Sequence, residues 1–187
     1  EMTSSLVGSE MCIRDSVETP ARLRLCRSFF VIFGPLSKKN VMEIQDILRN
    51  LQVEQLTPMQ EATREAYHEN KDLVLLSPTG SGKTLAFLLP LVQSLKTNVQ
   101  GVQAVVLVPS RELALQIETV FKSMGTPFKA MSCYGGRPAM EEHRTMKGVN
   151  PSVIIGTPGR MNDHLRKENF DAGTVTTLVI DEFDNCL

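Results

Sequence analysis

The chain has 187 residues, with 20 Lys and Arg against 21 Asp and Glu, for a formal net charge of −1. Its 42% hydrophobic and 22% charged fractions suit one globular domain with a sizeable core and exclude wholesale disorder. No apolar stretch approaches the roughly 20 residues that cross a bilayer, and a near-zero charge confines any nucleic-acid surface to a local patch.

From Glu1 to Pro35 neither a helical nor a strand period is sustained. Arg22, Arg24 and Arg27 precede the apolar run Phe29-Phe30-Val31-Ile32-Phe33, which is too short for a signal-peptide core and has no small-residue cleavage site after it. Ser5 to Ser16, reading SLVGSEMCIRDS, resembles translated adaptor sequence. Residues 1–35 are therefore expected to be a leader, artefactual or disordered, and residues 36–187 to form the domain.

Val41, Ile44, Ile47 and Leu51 recur at helical spacing and predict a helix over 41–51. Thr57-Pro58 opens a second helix over 59–70, since Pro fits a first helical turn. A buried strand follows over 72–77, then a Gly-rich turn and a helix over 83–95. A strand over 104–108 and a helix over 111–124 come next. Further strands are expected at 128–133, 153–156 and 178–181, with helices near 139–147 and 160–166. Strands that are apolar throughout, alternating with helices, predict an α/β fold with a mainly parallel sheet covered on both faces. The strand order does not follow from the sequence.

Cys12, Cys26, Cys133 and Cys186 show no metal-ligand spacing and do not cluster along the chain with His68, His143 or His164. A disulfide framework is equally unsupported, so a reducing cytoplasm is expected.

Ser77-Pro78-Thr79-Gly80-Ser81-Gly82-Lys83-Thr84 lies between a predicted strand and a predicted helix, the context a phosphate loop requires. Gly80 and Gly82 let backbone N–H groups converge on phosphate oxygens, and the helix N-terminus adds partial positive charge. Lys83 is placed to reach the β- and γ-phosphates and Thr84 to ligate Mg²⁺. Ser77 stands where the general pattern has its first Gly. At the end of the apolar run Thr177–Ile180, Asp181-Glu182 meets the end of a strand, where open parallel sheets place their ligands. In a phosphate-loop protein such an acidic residue holds hydrated Mg²⁺, and its neighbour orients or deprotonates the attacking water.

With these elements in order, residues 40–187 resemble the N-terminal RecA-like domain of a DEAD-box ATP-dependent RNA helicase. Gln52–Gln60 is similar to the Q motif, and Ser77–Thr84 to motif I. Pro109-Ser110-Arg111-Glu112-Leu113-Ala114 resembles motif Ia, Gly135-Gly136 the double-Gly element, Thr157-Pro158-Gly159-Arg160 motif Ib, and Asp181-Glu182-Phe183-Asp184 motif II. The resemblance implies a RecA-like P-loop fold that is C-terminally incomplete, with ATP and Mg²⁺ as cofactors. It implies that Gln60, Thr79, Gly80, Ser81, Gly82, Lys83 and Thr84 hold the nucleotide, Gln60 reading adenine. Glu182, Lys83 and Asp181 would be catalytic, with Thr84 and Asp181 on the metal, the latter through water.

RNA contacts would come from Pro109, Arg111, Gly135, Gly136, Thr157, Gly159 and Arg160. They would grip the sugar–phosphate backbone, and so would be independent of base sequence. On spacing alone, a purely structural reading in which Pro109, Gly136 and Pro158 only shape loops competes with this one. Three departures stand out: Phe183 replaces the family's Ala, Gln52 and Val53 replace the Gly and aromatic that open the Q motif, and the chain stops soon after motif II. The parent protein is expected to carry a second RecA-like domain with arginine fingers and to unwind short RNA duplexes or remodel RNA–protein complexes, this fragment alone being inactive. The alternatives are an ATP-gated RNA clamp or scaffold, a binding-only fragment, and a phosphate-loop nucleotidase unrelated to RNA. The sequence is silent on oligomeric state.

Overall fold

The computed structural model describes residues 12–14, 29–33, 43–69, 72–78, 80–136 and 138–186. Seven strands form one sheet: β1 (Cys12–Arg14), β2 (Phe29–Phe33), β3 (Asp72–Leu76), β4 (Ala104–Leu107), β5 (Ala130–Cys133), β6 (Val153–Gly156) and β7 (Thr177–Asp181). The helices are α1 (Ile44–Asn50), α2 (Pro58–Glu69), α3 (Lys83–Ser94), α4 (Arg111–Ser123), α5 (Ala139–Val149), α6 (Pro158–Arg166) and the short α7 (Phe183–Cys186). From Ile44 onward each predicted strand and helix is present to within a few residues. Helix α7 and the 3-10 turn at Ala172–Thr174 are additions that no apolar period foreshadows.

The strands are ordered β1-β3-β2-β7-β4-β6-β5. β7, β4, β6 and β5 are parallel neighbours. β2 runs antiparallel to both β3 and β7, and β1 antiparallel to β3. Two reversals restore direction, so β3 points the same way as β4 to β7. The loops leaving these five strands therefore gather along one edge of the sheet, the edge where parallel α/β sheets bind ligands.

β1 and β2 come from the stretch expected to be a leader. A run of aromatic and β-branched residues favours extended backbone, and β2 satisfies the hydrogen-bonding edges of β3 and β7 at once. The rest of residues 1–35 lies outside the described ones.

Alternation along the strands divides the core in two. Ala104 and Val106 of β4, Val153 and Ile155 of β6, and Val179 of β7 face the layer built by α1 to α4. Val105, Ile154 and Met131 face the other layer, with Met146 of α5 and Met161 of α6. The expected covering of both faces is thus observed. Helix α3 is the central piece: from Leu85 to Ser94 every residue is buried, and its first residue is the lysine of the phosphate loop. Among the described residues no helix is long and apolar enough to cross a membrane.

Candidate functional site

The residues singled out in the sequence fall at the ends of β3, β7, β4, β6 and β5, with Gln60 on the neighbouring helix α2. Because β3 and β7 lie to one side of β4, β6 and β5, the edge divides into two halves.

In the first half, Thr57 and Gln60 close a capping box at the start of α2. The Thr57 N–H donates to Gln60 Oε1 at 2.9 Å, and the Gln60 N–H donates to Thr57 Oγ1 at 3.3 Å. The remaining Gln60 group, Nε2, donates to the Gly82 carbonyl at 3.2 Å. One buried side chain thus ties the loop before α2 to the phosphate loop. Gly82 has φ 88°, and a Cβ there would sit 2.7 Å from Gln60 Nε2. Both the left-handed backbone and the close approach demand glycine.

Gly80 is also left-handed, at φ 80°, and Ser77 and Ser81 share a hydroxyl hydrogen bond. Lys83 is 9% exposed, and its Nζ donates to the Ser77 carbonyl at 3.0 Å, folding across the loop it follows. The half-buried Thr84 opens the first turn of α3, where unpaired backbone N–H groups favour an anion. Thr79 lies outside the described residues.

Facing this loop, Asp181 ends β7 with 4% exposure. Burial pushes its carboxyl up to about 6; Lys83 and the Glu182 N–H pull downward, and the Glu182 charge adds to the rise. The Glu182 N–H donates to Asp181 Oδ1 at 2.9 Å. Glu182 itself sits at φ 49°, a strained conformation for a residue with a Cβ, and its Oε2 accepts from Asn185 Nδ2 at 3.2 Å. The buried Asp181 carboxylate, within the electrostatic reach of Lys83, and the hydroxyl of Thr84 are oxygen donors of the kind suited to a hard divalent cation. The residues fit Mg²⁺.

In the second half, Pro109 follows β4 and Ser110 caps α4, its hydroxyl accepting the Leu113 N–H at 3.2 Å. Arg111 is exposed, with its guanidinium carbon 4.9 Å from the centre of the Tyr134 ring. Gly135 and Gly136 follow β5, and Thr157 and Gly159 follow β6. A Cβ at Gly135, Gly136 or Gly159 would meet nothing within 4 Å. Gly136 has φ 96°, which by itself favours glycine, but neither crowding nor a left-handed backbone accounts for Gly135 and Gly159.

Arg160, expected from the sequence to contact phosphate, is engaged within the protein. Its side chain is 11% exposed, and Nε lies 2.9 Å from Glu142 Oε2 while also donating to the Tyr134 carbonyl at 3.3 Å. Glu142 was not legible as a site residue, and neither were Tyr134, His164 or Asn169. Glu142 Oε1 accepts the Tyr134 N–H at 3.2 Å, and Oε2 lies 2.8 Å from His164 Nε2. Asn169 Nδ2 is 2.8 Å from His164 Nδ1, a pattern that suits the tautomer carrying its proton on Nε2. The faint signal in the sequence was Arg160 and His164 at i and i+4 on one predicted helix.

His164 and Cys133, unrelated along the chain, meet in space with Glu142; their ligand atoms lie within 4.8 Å of one another. Arg160 already neutralises that carboxylate, which opposes a cation. Burial, reinforced by the Glu142 charge, pushes the Cys133 thiol well above its ordinary range, away from the thiolate a metal would need. The trio is a hydrogen-bonded His164–Glu142 pair beside a buried thiol rather than a metal site.

Residues 57–187 match the family model described as DEAD/DEAH box helicase. The chain is 35% identical over 147 residues to the DEAD-box ATP-dependent RNA helicase CshA of Bacillus licheniformis, covering 78% of this chain and 30% of that protein. It is 41% identical over 174 residues to the ATP-dependent RNA helicase DBP10 of Candida glabrata, covering 90% and 17%. Among solved structures, a DEAD box protein from Methanococcus jannaschii superposes with a TM-score of 0.63 at 26% identity, over 77% of this chain and 40% of that one. Mss116p bound to single-stranded RNA and AMP-PNP superposes with a TM-score of 0.57 at 28% identity, over 72% and 32%. The chain thus spans less than a third of the length of each of these two helicases.

Proposed function

The chain belongs to the DEAD/DEAH-box helicase family and has its RecA-like α/β fold, and from that membership we propose that it binds ATP with Mg²⁺ at the β3–β7 half of the edge and an RNA backbone at the β4–β6–β5 half. The observation that carries this reading is the shared direction of the five strands, which brings five separate sequence motifs to one edge, where the sixth joins them through the Gln60–Gly82 hydrogen bond.

In the first half, the α3 N-terminus and the Gly80–Gly82 backbone take the phosphates, and Lys83 turns from the Ser77 carbonyl to the β- and γ-oxygens. Thr84, and Asp181 through water, would hold Mg²⁺, which supplies charge neutralisation at the phosphate oxygens. Glu182 orients the attacking water and accepts its proton. Gln60 is positioned to exchange one of its internal hydrogen bonds for the adenine edge, and the asymmetric donor–acceptor pattern of its amide suits that edge.

In the second half, glycines with open space above them let an RNA backbone approach, and Arg111 offers a guanidinium to its phosphates. Contacts of this kind position a strand without reading its bases. The neighbour bound to single-stranded RNA and AMP-PNP supports the pairing of the two ligands. In the parent protein, a second RecA-like domain would close over both halves, with arginine fingers and the rest of the RNA clamp, to couple hydrolysis to duplex opening or RNP remodelling. The test is Glu182→Gln in the full-length protein: nucleotide affinity should be unchanged and RNA-stimulated hydrolysis lost. Turnover at the wild-type rate would remove Glu182 from the reaction.

A further inference from the structure

We infer that Glu142 and Tyr134 are positioning residues for RNA, fixing the loops after β4, β5 and β6 relative to one another so that they act as one surface; this rests on the RNA-binding reading above. Tyr134 is the meeting point. Its N–H donates to Glu142, its carbonyl accepts from Arg160, and its buried ring lies beneath Arg111. Each partner comes from a different element: Glu142 from α5, Arg160 from the start of α6, and Arg111 from the start of α4. Tyr134 itself directly precedes Gly135. One residue therefore links every loop proposed to touch RNA.

Glu142 holds the arrangement from beneath. Its carboxylate is about as buried as a side chain can be, with 1% exposure, and it takes donors from Tyr134, Arg160 and His164. Removing a carboxylate and a guanidinium from water is costly unless further hydrogen bonds satisfy them. Here they are satisfied, and the result is directional: Tyr134 and Arg160 are held where the loops after β5 and β6 lie, while His164 ties the carboxylate to the body of α6. Asn169 sets the imidazole from its far side. A catalytic reading of the Cys133, His164 and Glu142 trio fails on geometry. His164 Nε2 addresses the carboxylate, and the cysteine is fully buried beneath the loops.

The experiment measures affinity for a single-stranded RNA and, separately, for ADP, in the full-length protein. Glu142→Ala should weaken RNA binding about tenfold or more, the equivalent of one charge-assisted hydrogen bond. Tyr134→Leu, which keeps the backbone bonds and loses the ring beneath Arg111, should weaken it about two- to fivefold. ADP affinity should stay within about twofold. Tyr134→Phe keeps the ring and the backbone groups and should bind RNA as the wild type does. Glu142→Gln keeps an acceptor for the Tyr134 N–H while losing the charge opposite Arg160, and should fall between. The salt dependence is the readout that a general loss of stability would not move. In Glu142→Ala the slope of log affinity against log salt should become shallower by about 0.7 for each phosphate that the protein no longer neutralises.

Unchanged RNA affinity in Glu142→Ala overturns the proposal. So does a parallel loss of ADP and RNA affinity in Glu142→Gln and Tyr134→Leu, which would give the network to the fold as a whole. A wild-type protein with no affinity for RNA would instead overturn the RNA reading on which the proposal rests.

Discussion

Around the ends of β3 and β7, the charged groups reach mostly for backbone: Lys83 holds the Ser77 carbonyl, and Asp181 holds the Glu182 N–H. Around the ends of β4, β6 and β5, Arg160, Glu142 and His164 hold one another in a closed network. The first half leaves a buried carboxylate poorly compensated, with its acidity shifted by burial, and a cation with a polyanionic ligand would complete it. In the second half the buried Glu142 and Arg160 are paired with each other before any ligand arrives, and Arg111, Gly135, Gly136 and Gly159 are exposed. On the reading proposed above, one half would recognise its ligand chiefly by charge and the other chiefly by shape. That division fits a chain whose formal net charge of −1 offers nucleic acid no bulk attraction.

The sharpest way to break this comparison is Arg160→Ala. If Arg160 serves the network, its loss leaves the buried Glu142 carboxylate without its cation, with the Tyr134 N–H and His164 as its remaining partners, and should destabilise the protein by roughly 3 kcal/mol in urea unfolding. If instead it presents charge to RNA, stability should barely change and RNA affinity alone should drop. Lys83→Ala tests the other half. ADP affinity should fall by about a hundredfold in calorimetric titration, since a cation aimed at phosphate oxygens is removed. RNA affinity without nucleotide should stay within about twofold of wild type. A large loss of RNA binding in Lys83→Ala would mean that the halves are not separable.

The protonation of Asp181 gives a third, smaller test. Its folded-state pKa, about 6, lies above the ordinary 3.8. The stability gained from the protonated form is fully present below about pH 4 and is lost as pH rises through 6. In chelator-containing buffer, the wild type should therefore lose roughly 2–3 kcal/mol across that window from this residue. Asp181→Asn should lack this component and be the more stable of the two at pH 8. Adding Mg²⁺ with ADP should restore the wild type and leave the variant little changed. Equal pH profiles for the two proteins would show that Asp181 is not the strained group of the first half.

The two halves were not equally legible in the sequence. The nucleotide half depends on local segments, and a strand–loop–helix with glycines and a lysine at fixed spacing announces its chemistry. Even so, the second duty of Gln60, bridging to Gly82, needed coordinates, because it joins segments 22 positions apart. The RNA half was legible as loops but not as a device. Glu142 looks like any charged residue of an amphipathic helix, and only folding sets it under Tyr134 and against Arg160. The strands from Asp72 onward were plain from apolar runs. β2 was not, since five apolar residues carry no signal of a central position between β3 and β7. Strand order depends on pairings distant in sequence, and no local period encodes them.

The smallest expected effect lies at the entrance to the nucleotide half. After α1, Gln52 sits at φ 56°. Its N–H donates to the Arg49 carbonyl at 3.1 Å, and the next N–H, from Val53, donates to the Leu48 carbonyl at 2.9 Å. These two bonds define a Schellman ending, whose left-handed position favours glycine. Here lies the physical reason for the glycine that opens the family's Q motif and that this chain replaces with glutamine. A Cβ in that conformation costs about 1–2 kcal/mol, and glycine returns part of the gain through a freer unfolded chain. Gln52→Gly should therefore stabilise the protein by about 0.5–1 kcal/mol, seen as a rise of a few degrees in Tm. If the loop's shape is already correct, as the capping box at Thr57 and Gln60 indicates, ADP affinity should not change with it. A gain in ADP affinity would show that the loop, and not only the charges of Lys83 and Asp181, sets how well the first half holds its ligand.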